Sequence, residues 1–180
     1  MTRLPNAEKR GRPDILHQAL LLIQGSLLAR NNLVKTYIHT VSDLVIDVDP
    51  EIRPPRNYDN FIGLMSQLFE VGRVPPVGKP LMRFVNGINY VLSIESPDRK
   101  ILLDDVRGGK EVSLKSFIDY VRNFKRPLIM IGAFPRGGSF EERTYRLADD
   151  VLKIGKYVMD TSSILCRLLT ALEIELGLIS

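Results

Sequence analysis

The chain is poor in the residues from which many functional sites are built. A single cysteine, Cys166, stands in 180 residues, which excludes an internal disulfide framework and fits a reducing, cytoplasmic setting. It lies among leucines and reads as a packed core residue. The two histidines, His17 and His39, have no Cys or His at ligand spacing, so no metal centre is expected. Both read as structural, His17 on a helix and His39 on a strand. No apolar run reaches the ~18 residues needed to cross a membrane. The opening MTRLPNAEKRGR is polar and basic without an apolar core, unlike a signal peptide. There is no Walker lysine motif and no GxGxxG, so neither a P-loop nor a Rossmann fingerprint is present. No internal repeat or low-complexity tract interrupts the sequence.

What remains is a globular composition, 44% hydrophobic and 26% charged, of a length that suits one domain over residues 1–180. Lys and Arg exceed Asp and Glu by 25 to 21, for a net charge of +4 and a pI near 9.3. That mild basicity is compatible with nucleic acid without requiring it.

Residues 1–10 read as a basic arm. Pro13 then opens a helix through Ile23, the first-turn position that proline tolerates. Leu33–Thr40 and Leu44–Val48 alternate β-formers with polar residues and read as a β-hairpin near residues 33–48. Pro50–Tyr58 is a proline-rich connector, and Asp59–Val71 an amphipathic helix with Phe61, Leu64, Met65, Leu68 and Phe69 at helical spacing. Pro80–Gly87 reads as a short helix and Tyr90–Glu95 as a buried strand. Leu114–Phe124 is a helix capped by Ser113. Leu128–Ile131 is an apolar strand buried on both faces, running into Gly132 and then Gly137. Val151–Ile154 is a short strand, and Thr161–Leu176 a helix capped by Asp160 or Thr161 and stopped at Gly177. The alternation in the second half favours an α/β fold with a mostly parallel sheet.

Three stretches carry chemistry. Arg12-Pro13-Asp14 sets a carboxylate where it can orient a guanidinium toward phosphate, or simply cap a helix. Arg53-Pro54-Pro55-Arg56 stiffens two cations, with Asn60 four residues on; it is either a phosphate-binding strap or a solvated linker. Gly132 and Gly137, with Ile154-Gly155-Lys156-Tyr157-Val158-Met159, form glycine-bearing turns after strands read as neighbours. Such turns can cup an adenosine-type cofactor through backbone groups.

Taken in order, Arg10-Gly11-Arg12-Pro13-Asp14-Ile15-Leu16-His17, Tyr37-Ile38-His39-Thr40, Asp49 through Tyr58, Gly63-Leu64-Met65 and Ile131 through Gly137 resemble one family over about residues 9–179. It is the archaeal type of the ribosome-biogenesis pseudouridine methyltransferases, of the SPOUT class. The resemblance implies a SPOUT-type α/β fold with a C-terminal deep trefoil knot, S-adenosyl-L-methionine as cofactor, and a homodimer. It also implies methylation of the N1 nitrogen of a pseudouridine in small-subunit ribosomal RNA. It places cofactor contacts at Ile94, Gly132, Gly137 and Ile154, Gly155, Lys156, Tyr157, Val158 and Met159. RNA contacts fall at Arg12, Arg53, Arg56 and Asn60, the last at a position where the family carries an arginine. Asp14 is the catalytic-site candidate, orienting Arg12 or acting as a base. Eleven residues precede Arg12, which leaves the family's first strand without a counterpart. A contrasting expectation is an RNA-binding ribosome-assembly factor of the same fold with weak or no catalysis.

Overall fold

The computed structural model describes residues 12–134 and 140–179. The chain divides into two compact units, Leu16–Glu95 and the remainder from Ser96 onward together with the chain up to Ile15.

The first helix, α1 (Pro13–Gly25), begins with proline at the position where a missing N–H costs nothing. A short α2 (Leu27–Arg30) follows, its Ala29 amide bonded to the Ser26 hydroxyl at 3.2 Å. Strands β1 (Thr36–His39) and β2 (Val45–Val48) pair antiparallel from Thr36 opposite Val48 to His39 opposite Val45. Helix α3 (Tyr58–Val71) is capped by Asn57 and closed by Gly72, whose φ of 80° supplies the left-handed terminus. Strands β3 (Arg73–Val74) and β4 (Met82–Val85) complete an antiparallel sheet of order β1-β2-β4-β3. Its core joins Leu20, Ile46, Val48, Ile52, Phe61, Leu68, Val74 and Met82. The unit ends in α4 (Gly87–Glu95).

Two local expectations exchange places here. The segment read as a short helix holds β4, where Met82 is buried and Arg83 exposed in register with Asp47. The segment read as a buried strand is the second half of α4, of which only Val91 is buried. The sheet of this unit is wholly antiparallel, so "mostly parallel" holds only for the other unit.

In that other unit, β5 (Arg99–Leu103), β6 (Lys110–Val112), β7 (Pro127–Ile131) and β8 (Asp150–Ile154) form an all-parallel sheet of order β6-β8-β5-β7. Helices α5 (Leu114–Val121), α6 (Glu142–Leu147) and α7 (Thr161–Glu175) belong to the same unit. Ser113 and Asp160 cap α5 and α7 through their side chains, and Gly177 follows α7 at φ 67°. The core gathers Ile101, Phe117, Ile118, Val121, Leu152, Ile154, Ile164 and Leu168. Strand β7 is half-buried throughout, because among the described residues it lies at the sheet edge rather than in its centre. Cys166 is exposed on α7, facing away from the leucines that flank it in sequence.

One connection decides the shape of the functional edge. Leu103 of β5 and Lys110 of β6 both lie level with Leu152 of β8, which runs between them. Residues 104–109 therefore cross a face of β8. They do so at close range: a Cβ on Gly109 would stand 2.8 Å from the Leu152 carbonyl carbon and 2.7 Å from the Asp104 carbonyl oxygen. Only glycine allows that approach of backbone to backbone.

Candidate cofactor and RNA-binding residues

In an open parallel sheet, ligands bind beyond the carboxyl ends of the strands. Here that edge carries Asp104 after β5, Gly132 after β7 and Gly155 after β8. The two glycine turns do not follow neighbouring strands, as the sequence suggested. β5 lies between them, so they are about 10 Å apart, two strand spacings.

Gly132 is a packing requirement. A Cβ there would come within 2.8 Å of the Phe134 ring and 3.3 Å of Phe140. Its carbonyl accepts a 2.8 Å hydrogen bond from Thr161 Oγ1, which ties the start of α7 to the end of β7. Gly137 lies outside the described residues. Gly155 takes φ 73°, a turn that disfavours other residues. Beyond it Tyr157 and Val158 are 84% and 70% exposed, apolar surface that a flat ligand would cover. Lys153 Nζ donates to the Lys156 carbonyl at 2.9 Å and pins this loop. Ile154 is buried in the core, and Met159 packs half-buried against it. Ile94 was expected at a strand end; it is an exposed residue near the end of α4, in the other unit.

Asp104 was not anticipated. It is 5% exposed and sits at the edge between the two glycines. Its carboxylate accepts the Val106 and Arg107 amides at 3.2 and 3.1 Å and the Tyr145 hydroxyl at 2.5 Å. Burial, and then this hydrogen bond, push the Tyr145 phenol up to about 12. The Arg107 guanidinium lies 4.7 Å over the Tyr145 ring and pairs with Glu142 at 3.0 Å. From Tyr145 an edge-to-face series continues to Phe140 (6.3 Å) and Phe134 (5.0 Å), ending against Gly132. The one sequence signal for Asp104 is an apolar pair, Leu102-Leu103, closed by a carboxylate.

The Arg12–Asp14 pairing is as the sequence suggested. Arg12 Nε meets Oδ1 and Oδ2 of Asp14 at 2.8 and 3.1 Å, and Nη2 meets Oδ2 at 2.7 Å. This hydrogen bonding to Arg12 holds the Asp14 carboxyl below its ordinary range, which suits an orienting group and weakens a base. Arg53 folds its Nη1 onto the Pro50 and Ile52 carbonyls at 3.0 and 2.8 Å. Arg56 is exposed and carries no hydrogen bond or ion pair among the described residues. Asn60 is exposed in the first turn of α3, its amide donating to the Asn57 side chain at 3.1 Å. Arg53, Arg56 and Asn60 share one unit; Arg12 and Asp14 belong to the other. Among the described residues no group of three or more His, Cys, Asp or Glu side chains is placed to hold a metal ion.

Comparison with known proteins gives a consistent picture. A family model described as EMG1/NEP1 methyltransferase matches residues 1–173. A relative from Pyrobaculum calidifontis, named ribosomal RNA small subunit methyltransferase Nep1, is 41% identical across 99% of this chain and 79% of its own length. The protein of that name from Saccharolobus solfataricus is 34% identical over 98% of this chain and 77% of its own. Among solved structures, Archaeoglobus fulgidus Nep1 bound to S-adenosylhomocysteine superimposes with a TM-score of 0.80 at 33% identity, over 98% of this chain and 77% of that one.

Proposed function

The chain belongs to the EMG1/NEP1 methyltransferase family. From that premise we propose that it transfers a methyl group from S-adenosylmethionine to the N1 nitrogen of a pseudouridine in small-subunit ribosomal RNA, as part of small-subunit biogenesis. The observation that carries this reading is the similarity, over nearly the whole chain, to a Nep1 structure that holds S-adenosylhomocysteine, the product left by such a transfer. The residues at the carboxyl edge of the parallel sheet fit that group. Gly132 lets the Phe134 and Phe140 rings close against the end of β7 as an apolar wall, and Gly155, with open space around it, turns an exposed Tyr157-Val158 pair outward to cover a flat base.

When bound, S-adenosylmethionine supplies an electrophilic methyl group, so the chain's own task is to position the base and exclude competing acceptors. N1 gains the C–N bond as the methyl–sulfonium bond breaks and leaves the neutral thioether, and the N1 proton passes to solvent water. Asp14, held acidic by Arg12, orients the Arg12 fork toward the RNA rather than taking that proton. Arg53 and Arg56 neutralise phosphates of a loop whose target base is splayed out and read on its edge.

The same reading includes a trefoil knot, a homodimer and a cytoplasmic site of action. The knot is supported by the short connection 104–109 crossing β8, since parallel strands ordinarily need a crossover of about a dozen residues. The dimer is supported by Ile174, Leu176 and Ile179, exposed together at the end of the chain. A catalytically inert assembly factor is the second reading. It has Asn60 in its favour, since an amide cannot neutralise a phosphate where the resemblance places an arginine.

The test uses purified protein, methyl-labelled S-adenosylmethionine and two RNA hairpins that differ only in pseudouridine against uridine. Label entering the pseudouridine hairpin alone is expected. Equal labelling of both would overturn the base assignment. No labelling, with no heat of cofactor binding by calorimetry, would favour the inert factor.

A further inference from the structure

His17 is 5% exposed, and the methyl transfer needs nothing from it directly. Its ring nevertheless makes a connection that no other described side chain makes. Nε2 lies 2.6 Å from the carbonyl oxygen of Pro55, in the middle of the arginine-bearing strap. The ring is stacked on Phe61 of α3 at 4.4 Å with planes 18° apart, and tilted against Tyr58 at 5.8 Å.

The strap has few other means of holding its shape. Ile52 and Pro54 are buried, which fixes its inward side. Before it, the Ile52 amide bonds the Asp49 carbonyl at 3.0 Å; after it, Asn57 caps α3. Between these posts, Pro54 and Pro55 have no N–H to donate. Among the described residues, the bond from His17 is the only hydrogen bond made by the backbone of residues 53–56. A carbonyl only accepts, so Nε2 carries the proton, and a neutral ring keeps its lone pair on Nδ1. Stacking on Phe61, itself fully buried, fixes the plane in which that N–H can point.

We propose that His17 is a positioning residue for RNA binding. Its Nε2–H grips the Pro55 carbonyl and so sets where the strap presents Arg53 and Arg56 to phosphate. This inference rests on the RNA-binding reading of the strap. Without the grip, proline stiffness keeps the strap extended, but its register over α3 is free to shift. Arg56, which has no partner among the described residues, then searches a wider volume.

The experiment separates the N–H from the ring. His17→Phe keeps the bulk and the stacking and removes the donor. His17→Gln keeps an amide donor near the Nε2 position and removes the ring. Arg56→Ala is the control for the strap itself. Affinity for the small-subunit rRNA hairpin is measured at several salt concentrations, beside affinity for S-adenosylhomocysteine. His17→Phe is expected to weaken RNA binding about tenfold and to flatten the slope of log affinity against log salt by about one. S-adenosylhomocysteine affinity stays unchanged, and His17→Gln stays within about threefold of the parent for RNA. A purely structural role would lower both affinities together. RNA affinity of His17→Phe equal to the parent, while Arg56→Ala is weakened, overturns the inference. An Arg56→Ala variant that binds normally overturns the RNA reading of the strap instead. Ring-nitrogen NMR on the unaltered protein needs no variant: the Nε2–H tautomer is expected, with ring signals that move on adding RNA. An Nδ1–H tautomer refutes the grip.

Discussion

Gly109→Ala tests the crossing of β8 where the structure leaves least room. At a glycine whose φ suits any residue, alanine ordinarily stabilises a protein by about 0.4–1 kcal/mol, because it restricts the unfolded chain. Gly109 has no positive φ, so that gain applies in principle. The space reverses the sign. The added Cβ would sit 2.7 Å from the Asp104 carbonyl oxygen, 2.8 Å from the Leu152 carbonyl carbon and 3.0 Å from its oxygen. All three atoms are backbone, so no side chain can rotate away. Relief requires lifting the connector off β8 by about half an ångström, and the Asp104 amide is bonded to that same Leu152 carbonyl at 3.0 Å. Overpacking costs about 1–3 kcal/mol and weakening this bond up to about 1 more. Against the entropic gain of about 0.4–1 kcal/mol, the net loss centres near ~2 kcal/mol. For a chain of this length that is roughly 4–8 °C in Tm. Calorimetry is the suitable assay, because two compact units can melt separately and the loss belongs to the transition of the parallel-sheet unit. Two glycines calibrate the scale. Gly108 has φ 78° and open space, so alanine there carries only the left-handed cost of about 1–2 kcal/mol. Gly63, inside α3 with nothing within 4 Å, should gain about 0.5–1 kcal/mol on becoming alanine. A Gly109→Ala protein as stable as its parent would refute the crossing.

Two further outcomes follow from the same edge and from the Arg12 pair. The Tyr145 phenol is raised to about 12, so its contribution to stability is complete below pH ~10, where folded and unfolded phenols are both protonated. It declines as pH rises toward 12, because the unfolded phenol ionises first. Tyr145→Phe should flatten Tm against pH over 9–12 only in part, because Tyr37 is raised to about 12 as well and keeps its own slope. An unaltered slope would mean that Tyr145 is not held by Asp104. Asp14→Asn should raise KM for the RNA several-fold and leave kcat nearly unchanged, if Asp14 orients Arg12. A kcat loss of a hundredfold or more at saturating RNA would make Asp14 the base.

Local signals were legible wherever a segment's own chemistry fixes its state. Ser113 and Asp160 cap α5 and α7 as their spacing suggested, and Pro13 opens α1. The errors lie where partners override preference. Gly87–Glu95 is rich in β-formers yet forms α4, opened by Gly87 at φ 67° and followed by Ser96 at φ 43°. Met82–Val85 is too short for a period to show and is fixed by the register of β2. β5 was hidden by Arg99 and Lys100, whose charges are met by Asp150 at the start of β8 at 2.7 Å and by Asp149 just before it at 2.9 Å, about fifty residues away. The turn at Gly155 was readable because its φ of 73° is one that glycine favours. Asp104 was not, because its meaning lies in the Val106, Arg107 and Tyr145 groups that converge on it.

The order β6-β8-β5-β7 belongs to the same class of fact, and it explains why the two glycine turns were read from sequence as following neighbouring strands. Reading strands as they come puts β7 beside β8 and their glycines side by side. In the structure β8 enters between β5 and β6, strands joined by only residues 104–109. No preference encodes that entry; it depends on a backbone crossing that one residue permits. Gly108-Gly109 looks in sequence like a loose turn. Gly108 is indeed one, open on all sides, while its neighbour is the point where two chain segments touch. Two adjacent glycines that look alike in sequence therefore serve unlike purposes. Substituting each in turn distinguishes a flexible hinge from a crossing, because only a crossing makes alanine worse at the position with the ordinary φ.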